Sequence, residues 1–151
     1  MAHTIRIQAE PFDAAAETAA LTDGRADIGA VVAFTGLCRD EDGRLAILEL
    51  EHYPGMAEAE IGRIAAQAQT RWNLLGLTII HRFGKIVPGE GIVLVLTASA
   101  HRQTAFEAAS FLMDYLKTHA PFWKREHLND GLVGAWVEAK EADDRAAERW
   151  R

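Results

Sequence analysis

The segment Ser99-Ala100-His101-Arg102 sets a histidine and an arginine at the start of a long helix-forming stretch. The first N–H groups of a helix have no intrahelical partner and the helix dipole is positive there. Anions are therefore favoured at that end, and cations disfavoured by a few tenths of a kcal/mol or more. Two potential cations there read either as half of an anion site, completed by the bound anion, or as two exposed polar residues. The segment alone leaves both readings open. Lys117 falls near the far end of the same stretch, where the negative end of the dipole suits it. At about 100° per residue, Arg102, Phe106, Met113 and Lys117 share an arc of about 60° on one helix face. Phe106 and Met113 are expected in the core, which would make Arg102 and Lys117 flank one buried surface. Beyond Pro121, Phe122-Trp123-Lys124-Arg125-Glu126 is the densest aromatic and basic patch of the chain, able to cradle a flat heterocycle or to anchor a loop.

Other chemistries are excluded by spacing. The six histidines form no H-x3-H or HExxH pair, and Cys38, the single cysteine, has no second thiol, so no metal site is expected. Cys38 follows an apolar run and reads as a small core residue rather than a nucleophile. No Gly-rich phosphate loop of the P-loop or dinucleotide type occurs. A net charge of −6 over 151 residues argues against a general nucleic-acid binder. The charge is uneven, at −8 over residues 1–60 and +3 over residues 61–131. A discrete anion site or a scatter of solvated charges would each leave that pattern. No run reaches the 18 or so apolar residues that span a bilayer. The first residues lack the basic-then-apolar order of a secretory signal, and one unpaired cysteine suits a reducing compartment. The cytoplasm is the expected location.

The elements that must position these residues follow from periodicity. Ile5 and Ile7 alternate with polar neighbours as a short strand, and Asp13 caps a helix running to about Leu21. The apolar run from Gly29 to Phe34 is of strand length and is expected to be buried on both faces. Asp40-Glu41-Asp42-Gly43 reads as a solvated hairpin turn. Leu45 to Tyr53 is expected as a strand entering a helix at Pro54, with Ile61, Ile64, Ala65, Ala68 and Trp72 as its apolar stripe. Leu77, Ile79, His81 and Phe83 alternate as a strand. Ile92 to Thr97 forms another, paired antiparallel to it across Pro88-Gly89-Glu90-Gly91. Ser99 is expected to cap a helix from Ala100 to about Thr118, stopped by Pro121. Phe122 to Glu126 is extended, Asn129-Asp130-Gly131 a turn, Leu132 to Glu138 a strand, and Glu141 to Trp150 a charged helix. The class is α+β with an antiparallel or mixed sheet, in a single domain over residues 1–151.

Several motifs together carry a family resemblance. They are Ala33-Phe34-Thr35-Gly36 with Arg39, Leu50-Glu51-His52-Tyr53-Pro54-Gly55-Met56, Ser99-Ala100-His101-Arg102, Met113-Asp114-Tyr115-Leu116-Lys117, and Ala120-Pro121-Phe122-Trp123-Lys124-Arg125-Glu126. In this order, and with Trp136-Val137-Glu138-Ala139 beyond them, they resemble the large, catalytic subunit of molybdopterin synthase from about residue 29 onward. The resemblance implies an α/β hammerhead fold with additional antiparallel sheet. It implies a sulfurtransferase acting on cyclic pyranopterin monophosphate, with sulfur supplied by a small ubiquitin-like partner as the thiocarboxylate of its C-terminal Gly-Gly tail. It also implies a homodimer at the centre of a heterotetramer, and no resident cofactor. By motif, Lys117 and Lys124 resemble the active-site lysines. Arg39, His101 and Arg102 resemble substrate contacts, with Phe34, Met113 and Glu126 lining or supporting the pocket. Lys140 stands where related chains often carry arginine, which would weaken a bidentate phosphate contact there. Arg102 and Lys117, 15 residues apart on one helix, would lie ~22 Å apart, so both serve one small substrate only if a symmetric dimer shares the site or if they bind different parts of the reactant pair. The competing reading is a non-catalytic module that captures a Gly-Gly-tailed partner.

Overall fold

Alternating or continuous apolar runs make the strands, and 3.6-residue stripes make the helices that cover them. The structure, a computed structural model, describes residues 2–119 and 121–138. β1 (Ala2–Gln8) is followed by α1 (Ala14–Thr22), whose N-terminus is capped by Asp13, its carboxylate accepting from Ala16 N at 3.1 Å. β2 (Ala30–Leu37), β3 (Leu45–His52) and α2 (Met56–Arg71) come next. β4 (Gly76–Arg82), β5 (Gly84–Ile86) and β6 (Gly91–Ser99) lead into α3 (Arg102–His119) and β7 (Phe122–Leu128). Among the described residues these form two sheets, one ordered β1-β4-β6-β2 and the other β5-β3-β7. β1 runs parallel to β4, and the other pairs are antiparallel, so the expected mixed α+β class holds.

The main core lies between the first sheet and the pair α2 and α3. Ile61, Ile64, Ala65, Ala68 and Trp72, the stripe read from the sequence, meet Leu77, Ile79, Val93 and Val95 there, together with Phe111, Leu112 and Leu116 of α3. On the opposite face Leu21 of α1 covers Ile80, Leu94 and Leu96. A smaller core of Cys38, Leu45, Leu50 and Ile86 lies at the second sheet. The chain crosses from one sheet to the other at Phe83-Gly84, where Gly84 has φ 88°, a left-handed conformation that a side chain would strain.

Several expectations are corrected. The run Gly29 to Phe34 is not buried on both faces. β2 is an edge strand, and Ala33, Phe34 and Thr35 are exposed. Asp40 to Gly43 does turn, with positive φ at Glu41, Asp42 and Gly43, but it joins strands of different sheets and makes no hairpin. Pro54 precedes α2, whose N-cap is Gly55, with φ 86° and its N–H bonded to the Glu58 carboxylate at 2.6 Å. α3 begins at Arg102. Ser99 closes β6, and its hydroxyl accepts only from His101 N at 3.5 Å, steadying the turn before the helix. Phe106 is 61% exposed, because the face of α3 that meets the sheet is centred on Ala105, Ala108 and Leu112. Leu132 to Glu138 is no continuous strand. It runs beside β7 and touches it through single bridges at Val133 and Val137. The expected helix from Glu141 lies outside the described residues.

Candidate active site

The C-terminal end of α3 brings three other elements to one place. Lys117 lies in its last turn. Leu77, Ile79 and His81 point from β4 to the same side of the sheet, since alternate strand residues share a face, and that side is the one α3 covers. The chain leaves α3 at His119 and re-enters as β7 at Phe122. The Phe122 ring stacks on that of His81, with centroids 3.8 Å apart and planes 17° apart. His52, at the end of β3, is the strand partner of Phe122, and its ring lies 6.0 Å from Phe122 and 4.6 Å from Phe83. Phe122 thus stacks on His81, with the His52 ring further off.

Lys124 follows two residues later on the same face of β7, ~7 Å along the strand. Its backbone is fixed from both sides. Leu50 is its partner in β3, and Val137 exchanges both N–H···O bonds with it, at 2.9 and 2.8 Å. The charge of Lys117 bears on the His81 ring. Lys117 lies in the last turn of α3, and Lys124 stands on β7 two residues beyond Phe122, so the passage from helix to strand carries both lysines.

His81 is held in one tautomer. Its Nδ1 lies 2.8 Å from the carbonyl oxygen of Arg82, which can only accept, so Nδ1 carries the hydrogen and Nε2 of the neutral ring is an acceptor. Burial lowers its pKa to about 4; Lys117 and His52 add to the lowering, and the Arg82 carbonyl opposes it. His52 is more enclosed, at 7% side-chain exposure. Its Nε2 is 4.0 Å from Glu58, and its buried Nδ1 has no hydrogen-bond partner among the described residues.

The pleat of β7 divides the basic patch. Phe122, Lys124 and Glu126 face one way; Trp123, Arg125 and His127 face the other. On that second face Trp123 joins Glu51, His52, Tyr53 and Trp136 around a cleft of about 380 Å³. Arg125 bonds Glu49 at 3.0 Å and lies 4.5 Å from the Trp136 ring centre, and His127 bonds Glu49 at 2.8 Å. The His127 contact first, then Arg125, hold the Glu49 carboxyl below its usual pKa. Arg125 is thus a structural cation, and Lys124 is the cation on the face of the stack.

The remaining expected residues are spread out. Phe34 projects from β2 to the α3 side, 39% exposed, and Met113 packs half-buried against the core below. Arg39 stands in the loop after β2 with an 81% exposed side chain, 3.6 Å from Glu41. Glu126 lies in β7, and its charge bears on Cys38, the residue before Arg39. The Cys38 thiol is pushed up by burial, then by Glu41, Glu90 and Glu126, the reverse of what a nucleophilic thiolate needs. His101 and Arg102 are exposed at the other end of α3, so one chain does not bring them to Lys117. Lys140 lies outside the described residues.

Sequence reasoning missed His81 and Arg82. Arg82 is 4% exposed. Its guanidinium donates to Ala9 O at 3.0 and 2.9 Å and to Gly91 O at 3.2 Å, tying β1 and β6 to the strand that carries His81. The signal for His81 was an imidazole at the third inward position of Leu77-Thr78-Ile79-Ile80-His81, where aliphatic residues precede it.

A family model described as MoaE protein matches residues 7–119. The molybdopterin synthase catalytic subunit of Mesorhizobium japonicum is 72% identical over 151 residues, 100% of this chain and 95% of the relative. That of Brucella melitensis biotype 1 is 65% identical over 147 residues, 97% of this chain and 90% of the relative. Among solved structures, the MoaE protein from Burkholderia ambifaria MC40-6 matches with a TM-score of 0.85 at 49% identity, covering 99% of this chain and 98% of that one. The molybdopterin synthase structure from Staphylococcus aureus matches with a TM-score of 0.77 at 30% identity, covering 87% and 94%. With its two-sheet α+β fold, the chain belongs to the MoaE family. Its activity is that of the family: the catalytic subunit of molybdopterin synthase, a sulfurtransferase of molybdenum cofactor biosynthesis.

Proposed function

We propose that Lys117 and Lys124 together carry the sulfur transfer. The donor is the C-terminal Gly-Gly thiocarboxylate of a small ubiquitin-like partner, and the acceptor is cyclic pyranopterin monophosphate, converted in two transfers to the dithiolene of molybdopterin. Both reactants are anionic, and their approach is opposed by Coulomb repulsion that local cations offset. Lys117 meets the partner's tail, stabilises the negative charge that develops there and supplies a proton. Lys124 holds the pterin or acts as the second acid–base group. Arg39, His101 and Arg102 bind the substrate, with Phe34, Met113, Glu126 and Lys140 around it.

The observation that carries this reading is that Lys117 lies in the last turn of α3 and Lys124 in β7, the next element, two residues beyond the Phe122 that stacks on His81, in a chain whose net charge is −6. The distance of His101 and Arg102 from Lys117 favours a site shared across a homodimer, within a heterotetramer that adds one small partner at each end. Among the described residues no strand pairs with the outer edge of β2, and Phe34 and Leu37 are exposed beside it, which supports a second copy there. The reaction is placed in the cytoplasm; among the described residues no helix is long and apolar enough to cross a membrane. The test is product formation from the thiocarboxylated partner and the pterin substrate. Lys117→Ala is expected to lose it by ~10³-fold or more while still binding the partner. Near-normal turnover in that variant refutes the reading.

A further inference from the structure

The stretch from Leu132 to Glu138 is exposed along its length, yet it lies against the outer edge of β7. Backbone bonds hold it there. Leu128 N donates to Leu132 O at 2.8 Å, and Gly134 N to Glu126 O at 2.9 Å. At Lys124 the exchange is complete, with Lys124 N donating to Val137 O at 2.9 Å and Val137 N to Lys124 O at 2.8 Å. In an antiparallel pair of this kind a residue spends both its N–H and its C=O on one neighbour. Leu50 of β3 faces Lys124 from the other side, but the backbone bonds of Lys124 itself go to Val137.

Backbone bonds in an exposed stretch open readily unless a side chain pins them. Trp136 supplies the pin. The Lys124–Val137 bridge is antiparallel, so Trp136 falls opposite Arg125. The Arg125 guanidinium carbon lies 4.5 Å from the Trp136 ring centre, within cation–π range. The same guanidinium donates to the Glu49 carboxylate at 3.0 Å, and Glu49 also meets His127 Nε2 at 2.8 Å. Glu49 belongs to β3, the middle strand of the second sheet, so the indole is moored to that sheet through Arg125.

We propose that Trp136 is a positioning residue for Lys124: stacked on Arg125, its ring keeps residues 132–138 on the edge of β7, and Val137 thereby fixes the Lys124 backbone. Trp136 lines the cleft with Trp123, on the face of β7 opposite Lys124, so it acts through the backbone and not on the reactants. This inference rests on the reading that Lys124 carries chemistry.

The test uses the complete complex with thiocarboxylated partner and pterin substrate. Trp136→Ala removes the ring, whereas Trp136→Tyr keeps an aromatic face for Arg125. In Trp136→Ala the Lys124 and Val137 amides are expected to exchange about tenfold faster or more, and kcat to fall about tenfold, with KM and partner affinity within roughly twofold. Trp136→Tyr should recover most of both losses. A ring that only adds stability lowers the urea midpoint and leaves kcat and the Lys124 amide as in the parent; that result overturns the proposal. Slower turnover with the Lys124 amide fully protected also overturns it, since the indole would then act on the reactants directly. Should Trp136→Ala fail to fold, amide exchange in the unaltered complex decides. The Lys124, Gly134 and Val137 amides are expected to open together, and a Lys124 amide that far outlasts the other two refutes the assignment. Lys124→Ala is measured alongside. If it keeps turnover, the lysine reading falls and Trp136 has nothing to position. If it is inactive while Trp136→Ala runs at full rate, the role of Trp136 alone falls.

Discussion

Phe122 lies flat on His81, 3.8 Å between ring centres, and this one contact ties the first residue of β7 to the last inward residue of β4. The chain itself passes between the two sheets close by, at the turn Phe83-Gly84. The stack therefore sets where Lys124 stands relative to the end of α3 and to Lys117.

Removing the ring should loosen that relation. Phe122→Ala takes away a half-buried aromatic stacked on His81 and is expected to cost about 2–3 kcal/mol in urea unfolding. The same variant should lose most of its turnover, because Lys124 is no longer anchored against the α3 end. Unchanged unfolding midpoint and unchanged turnover would both count against the stack as the organising contact.

Acid stability should report His81. An unfolded chain protonates this histidine below about pH 6.5, whereas the folded chain refuses the proton until about pH 4. The unfolded state then binds more protons, so stability falls as pH drops through that window, by at most ~3 kcal/mol, and levels off below it. Glu49, held below its usual value of 4.5, contributes only beneath that pH, which leaves the interval from 6.5 to 4.5 to the histidine. Urea midpoints measured from pH 7 to 4.5 should fall in the parent and stay flatter in His81→Phe.

Cys38 should be dispensable for chemistry. It is buried, and acidic neighbours push its thiol further from ionisation. Cys38→Ala is expected to keep turnover within about twofold and to lose about 1 kcal/mol of stability from the small cavity. A loss of turnover beyond tenfold, with folding intact, would place a thiol in the reaction.

The far end of α3 gives a test of sharing between copies. Arg102→Ala chains and Lys117→Ala chains, each inactive alone, should regain part of the activity when mixed, since some heterodimers then carry one intact site. Absence of rescue, with heterodimers shown to form, would mean that His101 and Arg102 serve something other than the Lys117 site.

What was legible in the sequence were elements whose own periodicity decides their burial. The α2 stripe of Ile61, Ile64, Ala65 and Ala68, the antiparallel pair β4 and β6, and the extended stretch after Pro121 are all where the pattern placed them. Gly29 to Phe34 was misread because a continuous apolar run looks the same in a sheet centre and at an edge waiting for cover. The patch after Pro121 looked like one surface because composition does not reveal the pleat that sets Trp123 and Lys124 on opposite faces. His81 was visible only as an alternating strand residue. Periodicity gives the face a side chain is on, and only the meeting of β4 with β7 gives its neighbour.

The central claim, that Lys117 and Lys124 act on one reaction at one place, is met most directly by single-turnover rates of Lys117→Ala, Lys124→Ala and the double variant. Two groups acting as a unit are strongly non-additive, so the double variant should be about as slow as the slower single one. A double variant slowed by the product of the two single losses would show independent lysines, and would contradict the shared site.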